Sequence, residues 1–344
     1  MLDTSARPVL RQEHGKGHGV VRAEFRVSSG VPPELRHGIF REPRSYQALV
    51  RFSNGGQHDE SAKDAHGMAI KLFGVAGLKL LHEEREATTQ DFVLLDNPVF
   101  FMPDAVGYVT FAHSLRAAGQ WSRLGWRARA PGRLQKLALF AHLYWNYLRS
   151  HPYEKKLIQQ IRKAPPPSGL DIRYWSTTPY KLGPHAVRWS ARPRRNGLPV
   201  TGQGSLAAAD RALREPRNRL RAGLVAHLSE RNATFDFLAQ RQTDPVAMPI
   251  EDPTVAWSEE RSPPVVLATL HIPRQVFDTP RRRVLGEALS FTPWHAIAEH
   301  RPLGGINRAR SSIYTELTRR RRALNQAASG EPDETWLAGE WDAE

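Results

Sequence analysis

The chain contains no cysteine among its 344 residues. Disulfides, zinc–thiolate and iron–sulfur sites, any other thiolate-ligated metal centre and a cysteine nucleophile are thereby excluded. Long apolar runs are missing too. The longest apolar-rich stretch, Leu137 to Leu148 (LALFAHLYWNYL), has 12 residues, where a bilayer span needs about 20. The first residues, MLDTSARPVLRQEHGKGHG, contain no apolar stretch of the kind a secretory leader needs, and a cytoplasmic protein is expected. Acidic residues are in deficit: 49 Lys and Arg face 35 Asp and Glu, a net charge of +14 and an isoelectric point near 10.4. Such a balance suits a nucleic acid, an anionic membrane or an acidic ligand, and equally a solvated basic surface. No zinc-finger, helix-turn-helix or RNP pattern accompanies the charge, so nucleic acid is not expected as a partner.

What is present is the profile of a globular protein, 40% hydrophobic and 24% charged, with enough chain to enclose a ligand. Period-two alternation predicts strands over 21–27, where Val21, Ala23, Phe25 and Val27 alternate with charged residues, and over 46–53. Further strands are predicted at 67–74, 90–95, 185–191, 233–242 and 264–272. Residues 114–163, rich in Arg, Leu, Trp and Ala, read as two or three helices ending at Pro165-Pro166-Pro167. Leu220, Leu224 and Leu228 mark another helix, and a last one is expected over 306–323, followed by an acidic, loop-like tail from Ser329. Two groups of strands around a helical insert suggest an α+β fold with a largely antiparallel sheet or barrel.

Four segments have the composition of a site. The arm Arg11-Gln12-Glu13-His14-Gly15-Lys16-Gly17-His18-Gly19 has three alternate glycines, which oppose a helix and allow close approach to something flat. Neither phosphate-loop pattern is present, and His14 with His18 would chelate a metal only on a helix. Arg51 and Ser53 share one strand face in Val50-Arg51-Phe52-Ser53-Asn54, whose plain reading is an exposed polar face. Gln90 to Phe101 (QDFVLLDNPVFF) is an apolar strand ending in polar residues and a turn, whose plain reading is core. On the last helix, Arg310 and Tyr314 stand one turn apart. A guanidinium there favours the phenolate, the form that binds iron, while the plain reading is a basic surface helix.

Taken in order, these segments resemble the haem catalase family and its short relatives, the minimal catalases and catalase-like allene oxide synthases. The family's R-x-x-H-x-K-G-x-G is matched by Arg11, His14, Lys16, Gly17 and Gly19, and its R-F-S by Arg51, Phe52 and Ser53. D-x-R-G-x-A-x-K is matched by Asp64, Gly67, Ala69 and Lys71, with His66 in place of the Arg. P-V-F-F is Pro98 to Phe101, R-x-x-x-Y is Arg310 and Tyr314, and Arg321 follows seven residues later. Met248-Pro249-Ile250-Glu251-Asp252 with Trp257 resembles a late barrel segment.

The resemblance implies one catalase-like domain over 1–344: an antiparallel β-barrel enclosing haem b, with a helical insert and a C-terminal helix carrying Tyr314. Within it, 1–115 would form the arm and first barrel half, 116–170 the insert, 171–275 the second half, 276–325 the wrapping segment and proximal helix, and 326–344 the acidic tail. With cysteine absent, the iron ligand must be His, Met or Tyr, and the resemblance implies Tyr314, supported by Arg310. It also implies His14 as distal acid–base, Ser53 as the partner orienting its ring, Arg11, Arg51 and Arg321 as propionate clamps, and Tyr108 stacked on the macrocycle. The family's distal Asn falls on Leu95, and a shift of one or two residues brings Asn97 into that role. The implied activity is catalase or peroxidase action on hydrogen peroxide or organic hydroperoxides. A fatty-acid hydroperoxide dehydratase or lyase, and a non-catalytic haem-binding protein, are the alternatives. The insert, with Trp121, Trp126, Tyr144, Trp145 and Tyr147 among basic residues, suits either an anionic membrane surface or packing over the barrel and between subunits of a homo-oligomer.

Overall fold

A computed structural model describes residues 9–11, 14–122, 132–194, 215–328 and 330–341. Its centre is a set of antiparallel strands: β1 (Gly17–Val27), β2 (Ser45–Asn54), β3 (His66–Leu72), β4 (Gln90–Leu95), β5 (Tyr174–Trp175), β6 (Tyr180–Leu182), β7 (His185–Pro193), β8 (Ala233–Arg241) and β9 (Val265–Ile272). Their order is β5-β4-β3-β2-β1-β9-β8-β7-β6, and β5 also pairs with β7. That last pairing, Tyr174 with Ala191 and Trp175 with Ser190, closes eight strands into a barrel and leaves β6 as a hairpin arm on β7. Closure removes the open edges that an antiparallel sheet would otherwise expose.

An eight-stranded barrel is just wide enough for side chains to fill it. Here Phe25, Phe92, Trp189 and Phe237 meet at its centre, with the Phe92 and Phe237 rings 4.6 Å apart and Phe40 closing one side. The alternating residues Ala48, Val50 and Phe52 of β2, Met68, Ile70 and Leu72 of β3, and Phe92 and Leu94 of β4 all belong to this core. The intervening residues therefore face outward, among them Arg51, Ser53, Gly67, Ala69, Lys71, Asp91, Val93 and Leu95. Ser53 pairs with Gly67 and Gly67 with Leu95, so these three lie in one row on the outer face.

The helices cover that outer face. The insert consists of α1 (Ala105–Ser122), α2 (Gly132–Leu143), which runs into a wider turn at Tyr144–Leu148, and α3 (Pro152–Ile161). Then come α4 (Arg219–Glu230), α5 (Pro280–Ala288) and α6 (Gly304–Asn325). Phe100, Met102, Tyr108, Leu143, Tyr147, Leu148 and Ile306 form a separate core between insert and α6. Among the described residues, no helix is long and apolar enough to cross a membrane.

Several sequence expectations need correction. β1 begins at Gly17 rather than Val21, because the glycine arm pairs with Ser53 and Phe52 across a bulge. The short strands β5 and β6 and the helix α5 carry too little periodicity to be seen. The tail is not simply loop-like: Glu334–Trp336 and Leu337–Trp341 are helical turns, with Leu337 and Trp341 buried against Val20, Leu49 and Phe73. Trp126, Arg127, Arg129, Ser329 and residues 342–344 lie outside the described residues.

The tail is also anchored by charge. Lys71, Asp91 and Glu331 have fully buried side chains; Lys71 binds Asp91 at 2.8 Å and donates to Glu331. His295 lies 2.7 Å from Asp91 and 3.2 Å from Glu84, and Arg322 pairs with Glu331 at 3.2 Å. Burial alone would raise the Glu331 carboxyl, but Lys71 and His295 hold it well below its ordinary value. Burial lowers His295, yet Glu331 and Asp91 outweigh this and raise it to about 9.

Removing one member of such a network leaves buried charge uncompensated. Glu331→Gln is expected to cost about 3 kcal/mol, read from denaturant unfolding. The sign with pH follows from the two shifts. A lowered carboxylate stabilises above its unfolded value of 4.5 and loses that contribution as pH falls. A raised imidazole stabilises fully below 6.5 and loses its contribution as pH rises through about 9. The stability difference between wild type and variant should therefore be largest between pH 4.5 and 6.5 and shrink on either side.

Candidate functional site

The outward row of β2–β4 is not exposed to solvent. A cleft of ≈ 810 Å³, counted to its open mouth, lies between this part of the barrel and α6, within the size range of small-molecule and cofactor sites. Arg11, His14, Arg51, Ser53, Gly67, Ala69 and Val93 line its barrel side. Ile313, Tyr314, Leu317, Thr318 and Arg321 line its helix side, and Ser290 and Phe291 contribute as well. The helix residues recur at the spacings that put them on one face of α6.

On the barrel side, His14 is held tightly. Its amide donates to the Gly55 carbonyl at 2.7 Å, its carbonyl accepts from Arg51 Nη2 at 2.7 Å, and its Nδ1 lies 3.0 Å from Ser53 Oγ. Its φ is +56°, in the left-handed region that a non-glycine residue seldom adopts. Local strain of this kind persists where surrounding contacts fix it. The ring lies over Gly67, where an added Cβ would be 2.7 Å from Nδ1 and Cε1, so only glycine leaves room for the imidazole. Burial, then the charges of Arg51 and Arg310, push the His14 imidazole down to about 4. It is therefore neutral at neutral pH, with one ring nitrogen able to accept a proton.

Three arginines gather at one end of the cleft around a single carboxylate. Arg11 Nη1 donates to Glu287 at 2.7 Å, and Arg11 also donates to the Leu289 carbonyl. Arg51 lies 3.6 Å from the same carboxylate. Arg321 donates to the carbonyls of Glu287 and Leu289. Burial followed by repulsion from Arg11 lowers Arg51 to about 10 and Arg321 to about 9. Burial pushes Glu287 up, but Arg11, Arg51 and Arg321 together hold it below its ordinary value. Three guanidiniums against one carboxylate leave a surplus of two positive charges, which suits a ligand carrying two carboxylates.

On the helix side, the buried Arg310 guanidinium lies 6.0 Å from the Tyr314 ring centroid and 5.2 Å from that of Phe100. It also donates to Thr178 and Asn307, at 3.4 Å each. Its field reaches His14, so both sides of the cleft share one electrostatic environment.

Six of the nine residues singled out from the sequence line this cleft: Arg11, His14, Arg51, Ser53, Tyr314 and Arg321. Arg310 stands behind Tyr314. Asn97 is not brought to it: it is buried past the end of β4, with its amide donating to the Val99 carbonyl at 2.7 Å. Tyr108 is not either. It is buried in the insert's core against Phe100, ring centroids 5.5 Å apart. His14 and His18 do not share a helix, the arrangement in which they would chelate a metal. His18 is buried in β1 and bonds Asn54 at 2.8 Å, and His66 bonds Asp96 at 2.9 Å. Sequence reasoning missed Glu287, Phe291, Ile313 and Leu317. Helical spacing could have found the last two, Leu317 three residues after Tyr314 and Ile313 three after Arg310, whereas a lone Glu after Arg281-Arg282-Arg283 gives no signal.

Solved structures with the same fold exist. A fungal catalase aligns over 97% of the chain with a TM-score of 0.66 and 16% identity. A bacterial catalase covers 92% at 0.63 and 18%, and catalase A from Saccharomyces cerevisiae 97% at 0.64 and 15%. The fold is that of the catalases. The chain spans 66%, 59% and 68% of the length of these three catalase-fold chains, respectively. No protein-family model and no curated protein sequence matches it.

The packing around His14 has two sharp local consequences. Gly67→Ala should displace the His14 ring and break its bond to Ser53, costing about 1–3 kcal/mol as an overpacking change. Titration of His14 followed by NMR should give a midpoint near 4 in the wild type. A midpoint near 6.5 would contradict the buried placement of the ring.

Proposed function

We propose that the cleft holds haem b and that the protein is a haem-dependent oxidoreductase acting on hydroperoxides. The observation that carries this reading is the sharing of one cleft by a neutral, oriented imidazole and a tyrosine, with three arginines at its end. The residues fit the group. Surplus positive charge at Arg11, Arg51 and Arg321 suits two propionates, and Ala69, Val93, Phe291, Ile313 and Leu317 offer apolar surface to a flat macrocycle. Tyr314 would ligate the iron as phenolate, a form favoured by the Arg310 cation beside its ring. When bound, haem iron supplies the redox chemistry that breaks an O–O bond.

The chain's own part is proton handling and access. With Nδ1 engaged by Ser53, His14 keeps Nε2 to take the proton of an arriving hydroperoxide. An imidazole lowered to about 4 holds that proton weakly and returns it readily to the departing oxygen. At the outer-face position level with Gly67 and Ser53 stands Leu95, whose side chain has no hydrogen-bond donor to offer. Without a second donor, less of the developing charge is stabilised. This favours peroxidase action on organic hydroperoxides, or fatty-acid hydroperoxide dehydratase or lyase action, over efficient dismutation of hydrogen peroxide.

Haem-replete wild type and Tyr314→Phe should differ in absorption, with the phenolate-ligated high-spin bands lost in the variant. An unchanged spectrum would assign the iron to another residue, and failure to take up haem would refute the reading. Wild type should consume a fatty-acid hydroperoxide while releasing little oxygen from hydrogen peroxide. His14→Ala should lower that turnover by about 10²–10⁴. A haem-loaded protein that turns over neither peroxide would be a binder rather than an enzyme.

A further inference from the structure

The insert carries an outer surface that the cleft chemistry does not use. Of the thirteen large hydrophobic side chains exposed among the described residues, eight lie in α1, α2, the turn after it and α3. Leu134, Leu137 and Trp145 are 51%, 64% and 65% exposed. They stand three and eleven residues apart, on one side of the helical run. Phe140 and Tyr153 extend the apolar surface nearby in sequence, each about half exposed. Monomeric soluble proteins scatter such residues singly, and their concentration in one region marks an interaction surface.

Charge identifies the partner. Between residues 105 and 161 the sequence has nine Lys and Arg and a single acid, Glu154, so this sixth of the chain holds more than half of its net charge of +14. The cations frame the aromatics: Arg149 lies 5.2 Å from the Trp145 ring and Lys155 4.9 Å from the Tyr144 ring. Exposed Leu, Phe and Trp set among Lys and Arg are what a helix needs to lie in the headgroup region of an anionic bilayer. A second copy of the chain would bring the same positive surface against itself. We propose that α1–α3 form a docking surface for an anionic lipid membrane, which they contact peripherally without spanning it.

Flotation of the full chain with vesicles tests this, and needs no haem, so its failure is separable from failure of the cleft reading. Wild type should float with vesicles of phosphatidylcholine mixed with phosphatidylglycerol, and not with phosphatidylcholine alone. Arg149→Glu/Lys155→Glu/Lys156→Glu should lower the bound fraction by about tenfold or more. Leu137→Ser/Phe140→Ser/Trp145→Ser should lower it comparably, and all six positions are far enough from the barrel core to leave the fold intact. No flotation of wild type with anionic vesicles would overturn the proposal. So would full retention by the apolar variant, which would leave only non-specific charge attraction. A wild-type dimer that the apolar variant dissociates in sedimentation would also overturn it, by assigning the surface to a contact between copies.

Discussion

A closed eight-stranded barrel filled by large aromatic side chains has no spare room inside, and most of the structure follows from that constraint. Phe25, Phe92, Trp189 and Phe237 fill the interior, so no ligand can enter it. Arg51, Ser53, Lys71 and Asp91 of β2, β3 and β4 then point outward, where strand alternation aligns them in rows. One end of that outer face carries Arg51, Ser53 and Gly67 and faces the cleft; the other carries Lys71 and Asp91 and faces the tail. A one-residue slip of β3 would turn Met68 and Ile70 outward and bury Lys71 among phenylalanines. Register, core and site are therefore fixed by one choice.

The two polar clusters on this face differ in how their charges balance. Around Lys71, three basic groups (Lys71, His295 and Arg322) meet three acidic ones, Asp91, Glu84 and Glu331. That cluster is complete without a ligand, and it fastens the tail to the barrel. Around Glu287, three arginines meet one carboxylate, and burial followed by repulsion among them lowers Arg51 and Arg321. A fold that encloses uncompensated charge is stabilised when an anion binds. Ser290 and Phe291 join the two clusters: Ser290 donates to Glu331, Lys71 lies over the Phe291 ring, and both residues line the cleft.

How much of this was legible beforehand depended on range. Period two announced β2 almost to the residue, because half of the strand faces the aromatic core, and the apolar runs at 90–95 and 233–242 match β4 and β8 as closely. Arg310 and Tyr314 were legible as a pair because helical spacing is local. The arm was misread as starting its strand late, since Gly17 and Gly19 have no side chains to alternate. Glycine is required at position 19, where a Cβ would lie 2.3 Å from the Phe277 ring, a contact 258 residues away. Asn97 was out of reach for the opposite reason: the choice between Val99 and the cleft depends on a turn geometry that composition does not encode. The tail looked acidic and loose because Glu331 finds Lys71 only in three dimensions.

The helix α6 lies between the insert and the barrel, and this ties the surface of the molecule to its cleft. Arg310 is wedged between Phe100, part of the insert's core, and Tyr314, which lines the cleft. Ile313 touches both, packing against the insert's core while lining the cleft beside Tyr314. A closely packed interior transmits displacement rather than absorbing it. Any force on the insert that shifts Phe100 therefore acts on the guanidinium next to Tyr314. The insert thus helps to support the Tyr314 side of the cleft, whichever partner its outer surface meets.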